Sequence, residues 1–131
     1  MIVDSSAIVA MLREEPEVDA MIAALVDAER SAISAANFLE AAIVIDSDRN
    51  PLESAKLDGL LGRFGIAIAP VTEAQARLAR QAYRDFGKGS GHPAKLNFGD
   101  CFAYALAAER GEPLLYKGDD FAHAGLSRVA G

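Results

Sequence analysis

Five acidic positions in this chain are poorly explained as solvated helix faces, and their spacing is what could do chemistry. Asp4 closes a very short β-type run, Met1 to Asp4, and is followed by Ser5 and Ser6. Glu40 interrupts the apolar run from Phe38 to Val44. Asp100 stands three residues after Asn97, in the first turn of the most apolar helical segment. Asp119 and Asp120 follow the β-type run Leu114 to Tyr116 through Lys117 and Gly118. Each has an ordinary alternative: Asp4 as a helix N-cap, Glu40 paired with an arginine or lying at the edge of an apolar stripe, Asp100 closing a capping box with Asn97, and the aspartate pair solvated in a glycine turn. Taken together they suggest a cluster. Ionised carboxylates about 4 Å apart repel by ~4 kcal/mol per pair at an effective dielectric of 20, so four on one site call for protonation or a divalent cation. All-oxygen ligands favour Mg²⁺ or Mn²⁺. The chemistry that follows is metal-assisted phosphodiester hydrolysis, in which the ion holds the phosphate and activates water and no protein nucleophile is needed.

The surrounding elements must bring these acids to one edge. After the Met1–Asp4 strand, Ile8, Val9, Met11 and Leu12 give a helix, and Pro16 suits the first turn of a second helix that turns Val18, Met21, Ile22, Leu25 and Val26 inward. Ala32 to Ser34 reads as a second strand, with Ser34 capping a helix whose apolar face is Phe38, Leu39, Ile43 and Val44. Asn50-Pro51 opens another helix that runs to about Phe64 and stops at Gly65. Ile66 to Val71 is β-type, and a helix rich in Ala and Arg follows from about Thr72 to Phe86. Gly87, Gly89, Gly91 and Pro93 mark a mobile loop of the kind that borders a site, rather than a linker. A helix from Asn97 to Arg110 ends at Gly111, and Leu114 to Tyr116 is a fourth strand. A short turn around Phe121 and an extended piece near Ser127 to Ala130 complete the series. Strands alternating with helices predict an α/β, doubly wound domain over residues 1–131, with a mainly parallel sheet of four to five short strands flanked by helices. In such sheets ligands bind outside the carboxyl ends of the strands, where Asp4 and the Asp119/Asp120 pair fall.

Composition narrows the class. Of 131 residues, 51% are hydrophobic and 24% charged, enough to bury a real core without disulfide or metal staples. Cys101 is the only cysteine, which excludes an internal disulfide and fits a reducing cytosol. The start carries no signal-like segment and no run suggests a membrane span, so the expectation is a soluble, cytoplasmic protein. The net charge of −6 opposes non-specific phosphate binding, although a bound cation would bring part of the positive charge with it.

Quoted in order, Met1 to Ser6, Glu40 in its apolar helix, Asn97 to Ala107, and Pro113 to Phe121 resemble the PIN domain, within it the VapC-type ribonuclease toxins of bacterial toxin–antitoxin pairs. The resemblance spans almost the whole chain. It implies that Asp4, Glu40, Asp100 and Asp119 line a metal site, with Ser6 in support and Asp120 as a substitute for Asp119. It further implies a Mg²⁺- or Mn²⁺-dependent endoribonuclease acting on structured RNA such as tRNA or rRNA. A VapB-type antitoxin would hold it inactive, and the assembly would be a homodimer, or a heterotetramer or hetero-octamer with the antitoxin. On this reading Lys88, Lys95, Lys117 and Arg84 are candidate RNA contacts. Arg77, Arg80 and Arg84 form a basic stripe on one helix, with a solvated face as the plain alternative. His92 is a further candidate beside the glycine-rich loop. His123 reads as a surface histidine and Cys101 as a small core residue. Two other classes stand beside this one. A catalytically inactive PIN domain would keep the same acids. A Mg²⁺-binding signalling module such as a receiver domain would want an acidic pair after its first strand and an aspartate ending a central one, and this chain offers Asp4-Ser5-Ser6 and no aspartate after Ile66 to Val71.

Overall fold

The structure is a computed structural model that describes residues 1–118 and Phe121. The expectations for Asp119, Asp120, His123 and residues 127–130 lie outside the described residues. In chain order the elements are β1 (Ile2–Val3), α1 (Ser5–Leu12), α2 (Val18–Asp27), β2 (Ser31–Ser34), α3 (Ala35–Asp46), α4 (Pro51–Phe64), β3 (Ile66–Ala69), α5 (Glu73–Phe86), α6 (Phe98–Arg110) and β4 (Leu114–Leu115).

The four strands form one wholly parallel sheet in the order β3-β2-β1-β4, with Ile2 opposite both Ala32 and Leu114. From β1 the chain steps outward to β2 and then β3, and only after α5 and α6 does it return to lay β4 on the far side of β1. The strand order therefore reverses between β1 and β4, and such a switch opens a crevice at the carboxyl ends of those strands. Alternate strand residues feed two cores, as a period of two requires. Val3, Ile33, Ile66 and Leu115 pack with Ile8, Met21, Leu57 and Leu61 from α1, α2 and α4. Ile2, Ala32, Ala69 and Leu114 pack with Ala79, Ala82 and the α6 residues Ala103 and Leu106 on the opposite face.

Local chemistry sets the helix ends. Asn50 caps α4 ahead of Pro51, Thr72 caps α5 through its hydroxyl, and Gly65 and Gly111 close α4 and α6 in the left-handed region at φ 61° and 62°. Four expectations change. Val26, expected to turn inward from α2, is 67% exposed, and Met21 and Leu25 are the buried residues of that helix. Pro16 lies before α2 rather than in its first turn, because Val18 N–H closes a separate turn onto the carbonyl of Glu15 at 3.0 Å. The third strand ends at Ala69, ahead of Pro70, which has no N–H for a ladder. The inward row of α3 is Asn37, Ala41 and Ile45, while Leu39 and Ile43 are 58% and 61% exposed. That helix is apolar over most of its circumference, so its hydrophobic pattern singles out no face. Among the described residues, no helix is long and apolar enough to cross a membrane.

Candidate active site

Asp4 leaves β1 directly into α1 at the switch crevice. Its main-chain N–H donates to the carbonyl of Leu115 at 2.9 Å, and its Oδ2 caps α1 by accepting from Ser6 N–H at 3.0 Å. The side chain is only 3% exposed, and Oδ1 is buried with no hydrogen-bond partner among the described residues. Burial pushes the carboxyl up from 3.8 to about 6, with the Glu40 charge adding to the rise and the bonds from Ser6 and Ser5 opposing it. N-capping, the ordinary alternative for Asp4, is thus realised by one oxygen and accounts for none of the other.

Glu40 reaches the same region from α3. Its Oε1 accepts from the Ser5 hydroxyl and from Asn37 Nδ2, the latter at 3.4 Å. Asn37 is fully buried, and its Nδ2 also donates to the carbonyl of Gly99 at 2.9 Å. A Cβ on Gly99 would lie 2.1 Å from Glu40 Oε2, so the carboxylate rests on the bare backbone of the first turn of α6. Asp100 is the next residue, 7% exposed, in a reciprocal capping box: Asn97 N–H donates to its Oδ2 at 3.0 Å and its own N–H donates to Asn97 Oδ1 at 2.9 Å. Capping accounts for part of its bonding capacity.

The structure therefore brings Asp4 and Glu40 into electrostatic contact and sets Asp100 one residue beyond the glycine on which Glu40 rests. Among the described residues no three acidic, histidine or cysteine side chains gather closely enough to hold a metal ion between them. Asp119 and Asp120, expected to complete the cluster, lie outside those residues. Ser5, Asn37 and Gly99 were not foreseen as site residues. The hydroxyl–carboxylate pairing of Ser5 and the buried amide of Asn37 join segments far apart in the chain, and no spacing rule reveals them. Ser6 serves the site twice, through its N–H to Asp4 and through its hydroxyl, which accepts from Lys117 N–H at 2.9 Å.

The candidate RNA contacts separate. Lys117 is engaged with acids of its own: its ammonium pairs with Glu15 and stands 3.8 Å from Glu17 Oε2, at the turn between α1 and α2. We expect Lys117→Ala to lower the thermal unfolding midpoint by a few degrees, since a partly exposed pair contributes no more than about 1 kcal/mol after solvent screening, and to leave RNA affinity unchanged. Circular dichroism melts and an RNA titration at low salt check both halves. Lys88, Lys95 and Arg84 are exposed and have no ion-pair partner among the described residues, while Arg77 pairs with Glu73 at 3.0 Å. His92 is tied locally, its Nδ1 accepting from Ala94 N–H at 3.1 Å and its ring edge meeting Phe86. Cys101 is buried and its thiol is pushed up to about 11, by burial and then by Asp100, which makes it an inert small side chain.

The family model described as the PIN domain matches residues 1–126. Ribonuclease VapC28 of Mycobacterium tuberculosis is 57% identical over 129 residues, spanning 98% of this chain and 97% of that protein. Two solved structures share the fold at low identity. VapC20 of M. tuberculosis, a sarcin-ricin loop cleaving toxin, has TM-score 0.76 and 16% identity, covering 99% of this chain and 98% of that one. VapBC2 of Rickettsia felis, bound to a DNA fragment from its promoter, has TM-score 0.77 and 14% identity, covering 97% and 95%. This chain belongs to the PIN-domain family and is of the VapC type, which sets the receiver reading aside.

Proposed function

We propose that the protein is a VapC-type endoribonuclease that hydrolyses phosphodiester bonds of structured RNA, tRNA or rRNA, with Mg²⁺ or Mn²⁺ at the Asp4 crevice. The observation that carries this reading is Asp4 itself: a buried carboxyl at the topological switch, raised by burial, beside a second acid, with one oxygen that no donor among the described residues reaches. A hard divalent cation answers each of those features, so the oxygen donors fit the group. Asp4 and Glu40 would hold it, with Asp100 and Asp119 or Asp120 beside them. When bound there, the ion supplies Lewis-acid stabilisation of the charge that develops on a phosphodiester.

The chain's own residues do the positioning. Ser6 N–H fixes one oxygen of Asp4, so the rotamer that presents the other is set before anything binds. Ser5 and Asn37 fix Glu40, and Asn37 at once ties α3 to the carbonyl of Gly99, so the acid on α3 and the first turn of α6 keep their separation. Burial of these groups in the sheet crevice strengthens their field compared with water.

The VapC28 ribonuclease supports the reaction, and the likeness to a VapBC structure supports a VapB-type antitoxin as partner. A homodimer, or a heterotetramer or hetero-octamer with the antitoxin, completes the proposal. The test is incubation of the purified chain, freed of any partner, with total tRNA and rRNA in Mg²⁺, Mn²⁺ or EDTA, followed by sequencing of new ends. Discrete cuts that need the metal and vanish in Asp100→Asn are expected. Uncut RNA, or equal cutting by the variant, would overturn the reading in favour of an inactive PIN domain.

A further inference from the structure

Pairing of β4 with β1 ends at Leu115, whose carbonyl accepts from Asp4 N–H at 2.9 Å. Two residues further on, Lys117 donates its own N–H to Ser6 Oγ at 2.9 Å, joining segments 111 residues apart. An oxygen that accepts in this way turns its proton elsewhere. Burial raises the Asp4 carboxyl, and the bond from the Ser6 hydroxyl is the first influence that lowers it, so that proton serves Asp4. Ser6 N–H meets the same carboxyl at 3.0 Å. A line of hydrogen bonds thus runs from the main chain of Lys117 through Ser6 to Asp4.

The side chain of Lys117 anchors the start of that line. Gly118 follows at φ 93°, a left-handed step that glycine takes freely, so the turn after Lys117 contributes little to fixing it. The ammonium pairs with Glu15 and stands 3.8 Å from Glu17 Oε2, a buried oxygen that accepts no hydrogen bond among the described residues. Neither glutamate has another ion-pair partner among those residues. Both acids stand on a well-bonded turn. Glu14 takes the left-handed region at φ 52°, Glu15 N–H donates to the carbonyl of Ala10 at 3.0 Å, and Val18 N–H donates to that of Glu15 at 3.0 Å. The turn between α1 and α2 therefore presents two held carboxylates to one ammonium.

We propose that Lys117 is a positioning residue for the Asp4 crevice: Glu15 and Glu17 clamp its ammonium so that its N–H holds the Ser6 hydroxyl toward Asp4. The inference rests on the ribonuclease reading and adds the turn between α1 and α2 to the parts that serve the site. Groups that orient a metal-binding side chain govern metal affinity without touching the metal. A lysine on phosphate would instead contribute to RNA affinity and to its salt dependence. Charge alone predicts the opposite sign. Removing one cation beside a cation site strengthens the attraction for another, whereas loss of the clamp weakens it.

The test is calorimetric titration of the purified chain, freed of any partner and of EDTA, with Mn²⁺ and without RNA. Lys117→Met keeps the stem and removes the charge; it should need about 10-fold more Mn²⁺ for half-saturation, while Lys117→Arg binds as the native residue does. Glu15→Gln combined with Glu17→Gln should give the same loss, and all three changes together no more. Lys56→Met, which removes an exposed pair with Glu53 on α4, should keep native Mn²⁺ affinity. In EDTA, the Ser6 amide should lose protection from hydrogen exchange in Lys117→Met and keep it in Lys56→Met, and labelled RNA should bind Lys117→Met as tightly as the native chain. Native or tighter Mn²⁺ binding by Lys117→Met, or a loss in Lys117→Arg as large as in Lys117→Met, would overturn the clamp. Weaker RNA binding with a smaller salt dependence would also overturn it and make Lys117 a phosphate contact. Cleavage by the native chain in Mn²⁺ is measured in parallel. Cutting, with native Mn²⁺ affinity in Lys117→Met, overturns the clamp alone; Mn²⁺ binding that weakens in Lys117→Met, without cutting, supports the clamp and overturns the reaction. A native chain that takes up no Mn²⁺ overturns both.

Discussion

Asp4→Asn is expected to cut RNA at least about 10²- to 10³-fold more slowly than the native chain and, in EDTA at neutral pH, to be the more stable protein. The first effect follows from removing charge where several kcal/mol of electrostatic stabilisation is proposed to act, each 1.36 kcal/mol being tenfold in rate. The second follows from burial. A carboxyl raised from 3.8 to about 6 makes the folded state bind more protons than the unfolded chain between those values. Stability of the metal-free protein from this group is therefore highest below pH 3.8, falls as pH rises through that window, and is lowest above 6. The cost of the ionised form at pH 7 is on the order of 3 kcal/mol. Asparagine keeps the oxygen that caps α1 and carries no charge, so the cost disappears. Thermal melts should place Asp4→Asn several degrees above the native chain in EDTA, and added Mg²⁺ should raise the native midpoint while leaving the variant unmoved. A variant that melts lower in EDTA, or that gains as much from Mg²⁺, would remove Asp4 from the proposed metal site.

The parts of this molecule that were legible in the sequence are those governed by neighbours along the chain. Asn50-Pro51, Thr72, Gly65 and Gly111 end helices where expected, because capping and left-handed closure are decided within a turn. Asp4 and Asp100 could be located as the first residue past a strand and the third of a helix, and both sit there. What stayed hidden depends on contacts between distant segments. The face of α3 was misassigned because Phe38, Leu39, Ile43 and Val44 surround Glu40 on a helix with few polar residues, and tertiary packing chose the row of Asn37, Ala41 and Ile45. The neighbours of Lys117 in sequence are Asp119 and Asp120, and nothing local announces that folding also delivers Glu15 and Glu17 to it, from 102 and 100 residues away. Asn37 reads as an ordinary polar residue near a helix start, and only the approach of α6 makes it the buried link between Glu40 and Gly99.

Gly99→Ala should separate fold from function more cleanly than any change to an acid. The added Cβ would lie 2.1 Å from Oε2, 2.7 Å from Cδ and 2.8 Å from Oε1 of Glu40, so the whole carboxylate must leave its place. The obstacle is the far end of a flexible side chain rather than backbone, so the fold can yield by releasing Glu40 into the hollow beside it. Gly99 is helical and needs no left-handed conformation, and alanine is favoured over glycine in a helix by about 1 kcal/mol, which offsets the lost bonds from Ser5 and Asn37. The expected outcome is a melting midpoint within a few degrees of native and RNA cleavage slowed by roughly 10²-fold, if Glu40 supplies about 3 kcal/mol to the reaction. Glu40→Ala should match that loss, and the double variant should lose no more than either single one, because both remove the same carboxylate. Losses that multiply in the double variant would mean that Gly99 acts through the backbone of α6 and Asp100 instead. Full activity in Gly99→Ala would mean that the position of Glu40 seen here is not the one the reaction uses.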